Sequence, residues 1–181
     1  WPAARTTVNY LLQLDLDLSE KTLLEIGAGT GLVSLAASQK VKEVMATDYE
    51  EAPLTLLRYA AEHLNPDSGK ISTALFDVTD FDMDTPLADI VIAADVLYLP
   101  ATGHAMAKRV FDAMRRGSRV IIGDTGRPGR PAFLRELRSL LRDDTINFVN
   151  TTGTTVQGPR HDLICGIRTI SASERPKPIQ V

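Results

Sequence analysis

The sequence predicts an α/β fold: a doubly wound, mostly parallel sheet of seven strands with helices on both faces and an antiparallel pair at one edge. Three observations predict it. The apolar run Thr22-Leu23-Leu24-Glu25-Ile26 leads at once into the glycine turn Gly27-Ala28-Gly29-Thr30-Gly31 and an apolar helix start, the pattern of a strand buried on both faces feeding a crossover. Further short apolar runs then alternate with amphipathic helical stretches, which is the order of a parallel sheet. Acids recur where the apolar runs end, at Glu25, Asp48, Asp77 and Asp95, and in a doubly wound sheet those carboxyl ends face the ligand crevice.

The elements follow in order. Trp1-Pro2 leads into a helix to about Leu14, with Val8, Leu11, Leu12 and Leu14 as its apolar face. The alternating Leu and Asp residues of 14–19 form a polar connection. The first strand ends at Ile26, and a short helix covers Leu32 to about Ser38. The second strand is Glu43 to Thr47, ending at Asp48. Glu51 to Leu64 is a helix with Leu54, Leu57, Ala61 and Leu64 on one stripe, and Pro53 is tolerated in its first turn. Asn65-Pro66-Asp67-Ser68-Gly69 is a loop.

Ile71 to Phe76 is the third strand, ending near Asp77, and an acidic loop covers Asp80 to Pro86. Asp89 to Ala94 is the fourth strand. Residues 101–115 form a helix carrying Met106, Val110, Phe111 and Met114, and Arg119 to Gly123 is the fifth strand. After the loop Gly126-Arg127-Pro128-Gly129-Arg130, Pro131 opens a helix to about Leu141 with Phe133, Leu134, Leu137, Leu140 and Leu141 inward. Thr145 to Thr151 and Leu163 to Ile170 are the last strands. No helical pattern separates them, so they are expected to pair antiparallel. One domain spans 1–170, and 171–181 is expected to be a loose tail.

Composition narrows the function. The net charge of −3 supplies no broad attraction for nucleic acid or an anionic membrane. The single cysteine, Cys165, excludes an internal disulfide, and no Cys/His cluster suggests a metal site. No stretch reaches membrane-spanning length and no signal-peptide pattern is present. A reducing compartment is therefore expected: cytoplasmic, with nuclear or organellar placement as alternatives. The chain opens at Trp1 without a methionine, so a segment upstream is compatible with the sequence.

The glycine turn separates two ligand classes. A dinucleotide fingerprint needs G-x-G-x-x-G. Read from Gly27 its third glycine falls at Leu32, and read from Gly29 it falls at Ser34; both frames fail. The actual pattern, Glu25-x-Gly27-x-Gly29-x-Gly31, resembles motif I of the class I S-adenosylmethionine-dependent methyltransferases, whose Rossmann-like seven-stranded fold matches the predicted element order. A carboxylate at the strand end suits a ligand carrying an ammonium and a sulfonium. Asp48, 17 residues after Gly31, is placed to accept ribose hydroxyls, a role shared with dinucleotide folds. Asp77 is a candidate acceptor for an adenine amino group. Phe76 and Val78 either flank that ring or pack in the core.

A second resemblance is narrower. Ala94-Asp95-Val96-Leu97-Tyr98 is similar to the D-x-x-Y signature of the seven-strand protein-lysine methyltransferases. That family also carries a Trp-Pro pair near its opening helix, matched by Trp1-Pro2. The resemblance spans roughly residues 1–125. It implies that Trp1, Glu25, Gly27, Gly29, Gly31, Asp48, Asp77, Val78 and Ala94 bind S-adenosylmethionine and release S-adenosylhomocysteine. It also implies that Asp95 orients the incoming ammonium and that Tyr98 lines the amine channel. The implied partner is a protein presenting a lysine, with no nucleic acid and no membrane, and the expected state is a monomer.

Gly123-Asp124-Thr125-Gly126-Arg127-Pro128 is similar to a segment in the branch that methylates the β subunit of electron-transfer flavoprotein and in bacterial relatives labelled nicotinamide N-methylases. Residues 126–131 therefore read either as a substrate loop or as a turn before a helix. A small-molecule N-methyltransferase and a non-catalytic binding module remain alternatives, and an oxidoreductase is disfavoured by the glycine spacing. No N-P-P-Y or D-P-P-Y occurs, which argues against adenine-N6 or glutamine methylation. His63 reads as structural. His104 is placed near the crevice, and His161 and Asp162 fall in a loop that could cover its mouth.

Overall fold

The computed structural model describes residues 1–64, 70–150 and 161–165. The elements run α1 (Pro2–Gln13), β1 (Thr22–Ile26), α2 (Leu32–Ala37), β2 (Glu43–Asp48), α3 (Glu51–Leu64), β3 (Ile71–Leu75), β4 (Ile90–Ala94), α4 (Pro100–Arg115), β5 (Arg119–Asp124), α5 (Arg130–Leu141), β6 (Val149–Asn150) and β7 (His161–Cys165). The strands form one sheet in the order β3-β2-β1-β4-β5-β7-β6. The chain moves outward from β1 to β3, then returns to lay β4 on the other side of β1. The crevice of such a sheet opens at that reversal, beyond the carboxyl ends of β1 and β4.

Strict alternation builds two cores. On β4, Ile90 and Ile92 face one cluster with Leu23 of β1, Ile121 of β5, and Tyr10, Leu11, Val33 and Ala37 of α1 and α2. Val91 and Ala93 face the other, with Leu24, Ile26, Val120 and Ile122, against Met106, Val110, Phe133 and Leu137 of α4 and α5. The period of two along a strand divides each apolar run between opposite faces. This is why β4 and the centre of β5 read as continuous apolar runs, and β1 as one broken only by Glu25.

The last two strands correct the expected edge. β7 pairs with β5 in parallel, Val120 opposite His161 through Asp124 opposite Cys165, and β6 pairs with β7 in parallel. The antiparallel expectation rested on the missing helix pattern. A parallel return needs only enough chain to travel back one strand length, about 17 Å for five residues. The ten residues 151–160 can reach about 33 Å when extended. β6 is also shorter than expected, since 145–148 form no strand. The loop expected at 65–69, the strand expected over 166–170 and the tail from Ser171 lie outside the described residues.

Two further details depart from expectation. Leu12 is 40% exposed, and the buried stripe of α1 is Ala3, Thr7, Tyr10 and Leu11. His161 and Asp162 lie in β7 opposite Val120 and Ile121, toward the end of the sheet away from the crevice, and not in a loop over its mouth.

The crossover from β3 to β4 has no helix, so its backbone carbonyls need other partners. Arg109 of α4 supplies them. Its guanidinium donates to the carbonyls of Val78 (3.2 Å), Met83 (2.6 Å) and Asp80, and lies over the rings of Phe76 and Phe81 at 5.0 and 5.1 Å. One buried arginine thus does the fastening that a helix would otherwise do.

Candidate active site

The crevice is a cavity of about 900 Å³ at the carboxyl ends of β1 to β4. Of the residues expected to hold a cofactor, Trp1, Glu25, Gly27, Gly29, Asp48, Asp77, Val78 and Ala94 line it, and Tyr98 stands on the same wall. Gly31 and Asp95 do not line it.

The glycine turn forms the floor. The N–H groups of Gly27 and Ala28 both donate to Thr47 O at 2.8 Å, binding the turn to the end of β2. A Cβ on Gly29 would meet nothing within 4 Å, so this backbone faces open crevice. Gly31 acts differently. It caps α2 at φ +85°, and a Cβ there would lie 2.1 Å from Leu57 Cδ1. Its positive φ and the packing against Leu57 of α3 both call for glycine here.

Glu25 is the electrostatic centre. Its side chain is 2% exposed, the Ser34 hydroxyl donates to Oε2, and the Thr47 hydroxyl holds its backbone carbonyl at 2.8 Å. Burial pushes the Glu25 carboxyl up to about 7, with the Ser34 bond opposing and the Asp48 charge adding to the rise. A buried acid this close to neutrality suits a cationic ligand, whose charge would draw it back to the ionised form.

Asp48, 7% exposed, accepts from Gly29 N–H at 2.9 Å and Glu50 N–H at 3.2 Å. It ties the glycine turn to the loop after β2. Asp77 Oδ1 accepts from the backbone and hydroxyl of Thr79 at 2.8 and 2.7 Å, which lowers its carboxyl below the usual range. Phe76 is 4% exposed and Val78 is part-buried; both belong to the core beneath α4 and also line the cavity.

Asp95 is where the structure departs most from the expected role. It is wholly buried and adopts a left-handed φ of 64°, a conformation aspartate tolerates better than most residues. Its carboxylate lies off the cavity and is held by a two-pronged bond from Arg127, Nε to Oδ1 at 2.8 Å and Nη2 to Oδ2 at 2.6 Å, with Thr125 Oγ1 on Oδ1 at 2.9 Å. Burial alone would raise this acid. The bonds from Arg127 and Thr125 and the guanidinium charge win, and hold it below the usual carboxylate range. It therefore faces a cation of its own protein and does not line the cavity.

Tyr98 is 46% exposed, and burial of its ring together with the Asp95 charge raises its phenol. The Arg127 guanidinium lies over its ring at 4.9 Å and over that of Trp1 at 5.2 Å.

Sequence reasoning missed Ser34 and Arg127. Ser34 sits one turn into α2, nine residues from Glu25, and nothing about a serine in a helix announces a buried acid beside it. Arg127 stood within a segment already marked as a possible substrate loop, but its partner is 32 residues away. His104 pairs instead with Glu136 of α5, Nδ1 to Oε2 at 3.2 Å, and does not line the cavity. His63 stacks on Tyr59 at 4.0 Å, in keeping with a structural role. Among the described residues no cluster of His, Cys, Asp and Glu can hold a metal ion, and no helix is long and apolar enough to cross a membrane.

Comparison with known proteins gives the relationship. A family model described as lysine methyltransferase matches residues 1–138. The chain is 28% identical over 153 residues to protein N-lysine methyltransferase METTL21A of Danio rerio, covering 82% of this chain and 70% of that protein. It is 36% identical over 109 residues to protein-lysine methyltransferase METTL21E of Bos taurus, covering 54% and 37%. To the human histone-arginine methyltransferase METTL23 it is 27% identical over 128 residues, covering 69% and 67%. The chain spans about half or less of several relatives, 37% of the bovine protein and 49% of mouse METTL23.

Among solved structures, a TehB-like SAM-dependent methyltransferase of Corynebacterium glutamicum superposes with a TM-score of 0.57 at 14% identity, covering 77% of this chain and 72% of that one. Phosphoethanolamine N-methyltransferase 1 of Haemonchus contortus, solved with phosphoethanolamine and S-adenosylhomocysteine, gives 0.52 at 21% identity, covering 68% and 25%. Such likenesses are of fold alone. The family match is of another kind: it takes in every strand end and loop that builds the crevice, and the chain belongs to the lysine methyltransferase family.

Proposed function

We propose that the chain is an S-adenosylmethionine-dependent N-methyltransferase acting on a lysine side chain of a protein. The observation that carries this reading is the pairing of Glu25, a buried acid raised to about 7, with an open glycine turn at Gly29 on the floor of one cavity. The named lysine methyltransferases among the relatives support the choice of target.

Bound there, the cofactor would supply a sulfonium methyl with a good leaving group already in place. What the chain must do is orient and desolvate. Glu25 and the glycine turn would hold the cationic end, Asp48 the ribose, and Asp77 with Val78 the adenine side. Good orientation contributes on the order of 7–11 kcal/mol in favourable cases. The lysine must arrive without its proton, and burial against Tyr98 lowers an amine's pKa. Asp95, closed off by Arg127, acts by positioning.

The test is incubation of the chain with methyl-labelled cofactor and a cell lysate, followed by amino-acid analysis of labelled protein. Methyl-lysine is the expected product. Label in methyl-arginine would instead align the chain with its relatives named histone-arginine methyltransferases. Label confined to small molecules would overturn the protein-substrate reading in favour of a nicotinamide-like amine.

A further inference from the structure

We infer that Arg127 is a positioning residue that sets the substrate wall of the crevice by holding Trp1 and Tyr98 in place. Neither Arg127 nor Asp95 lines the cavity, while both rings do. The guanidinium lies over each ring at about 5 Å, the range in which a cation is drawn to an aromatic face. Its direction is not free. The two-pronged bond to Asp95 fixes the plane of the fork, and Asp95 is itself wholly buried.

The loop that carries Arg127 is anchored independently. Asp124, also wholly buried, accepts from Gly126 N–H at 2.8 Å and Arg127 N–H at 3.2 Å and is bridged by Arg130. Gly129 N–H donates to Leu97 O at 2.9 Å, tying this loop to the one bearing Tyr98. A Cβ on Gly129 would lie 2.3 Å from Leu99 O, so the two loops meet backbone to backbone.

Fastened at both ends, Arg127 passes the rigidity of the β4 and β5 ends to two side chains that are otherwise exposed, Trp1 at 75% and Tyr98 at 46%. Asp95 then influences the amine channel through Arg127. A planar, forked cation is required: lysine keeps the charge but can neither engage both oxygens nor cover a ring with a flat face. This assignment rests on the lysine-methyltransferase reading for its effect on turnover, but not for its effect on the rings.

Trp1 is the chain's single tryptophan, so its fluorescence reports the clamp directly. Arg127→Met alone leaves a buried carboxylate unpaired and risks misfolding. The double variant Asp95→Asn/Arg127→Met and the single variant Arg127→Lys are therefore the informative ones. In both, the acrylamide quenching constant of Trp1 should rise, by up to about 1.3-fold since the ring is already 75% exposed, as the cation leaves it. The kcat/KM for the labelled protein substrate should fall at least about tenfold. Cooperatively folded variants with unchanged quenching, or with changed quenching and wild-type kcat/KM, would overturn the assignment. If the wild-type chain transfers no methyl group to protein, the functional reading fails alone, and the quenching comparison still decides for or against the clamp.

Discussion

Replacing Glu25 with glutamine tests the electrostatic centre of the site. The wild-type carboxyl lies at about 7 in the folded protein, against 4.5 for an ordinary glutamate. The folded state is therefore the better proton binder between those values. For this group, stability is highest below about pH 4.5, falls as pH rises toward 7, and is level beyond. At about 1.4 kcal/mol per pH unit the span corresponds to roughly 3 kcal/mol. Glutamine keeps the shape and a partner for Ser34 but cannot ionise. The difference in unfolding free energy between variant and wild type should move by up to about 3 kcal/mol in favour of glutamine between pH 4.5 and 8.

Urea titration at a series of pH values measures this, and the groups that do not couple to Glu25 cancel in the difference. Ligand binding should show the opposite preference. A cation beside Glu25 favours the carboxylate, so S-adenosylmethionine should bind with release of up to one proton below pH 7. Its affinity should fall by up to about tenfold per pH unit there. Calorimetry in buffers of different ionisation heat reads that proton. Parallel stability profiles for the two proteins, with no proton released on binding, would refute the reasoning.

Two further outcomes separate structural from ligand-facing residues. Gly31→Ala should cost about 2–4 kcal/mol of stability through the Leu57 collision and positive φ. Gly29→Ala should cost only about 1 kcal/mol but weaken S-adenosylhomocysteine binding at least tenfold, and the reverse order by urea titration and calorimetry would assign the glycines wrongly. Arg109→Leu removes the donors to Val78, Asp80 and Met83 and should cost about 2–4 kcal/mol. Amide exchange confined to residues 78–85 should then accelerate, and unchanged exchange there would count against the fastening role.

The strand-turn-helix at 22–37 and the acids at successive strand ends were legible in the sequence, because each is made by residues adjacent in the chain. Apolar period, glycine spacing and the end of a run are local facts, and local facts placed Glu25, Gly29, Asp48, Asp77 and Tyr98 around one crevice. What a side chain meets across the fold is not local. Asp95 read as an acid awaiting an ammonium; only the folded chain brings Arg127, 32 residues on, to occupy it. Gly31 read as a ligand contact, and only the fold shows that a Cβ there would also collide with Leu57. The parallel course of β6 and β7 was equally hidden, since an apolar run carries no arrow. Residue type and spacing thus determined which groups stand at the crevice. Tertiary packing alone decided which remain available to a ligand, because a buried charge is defined by the partner that the rest of the chain delivers to it.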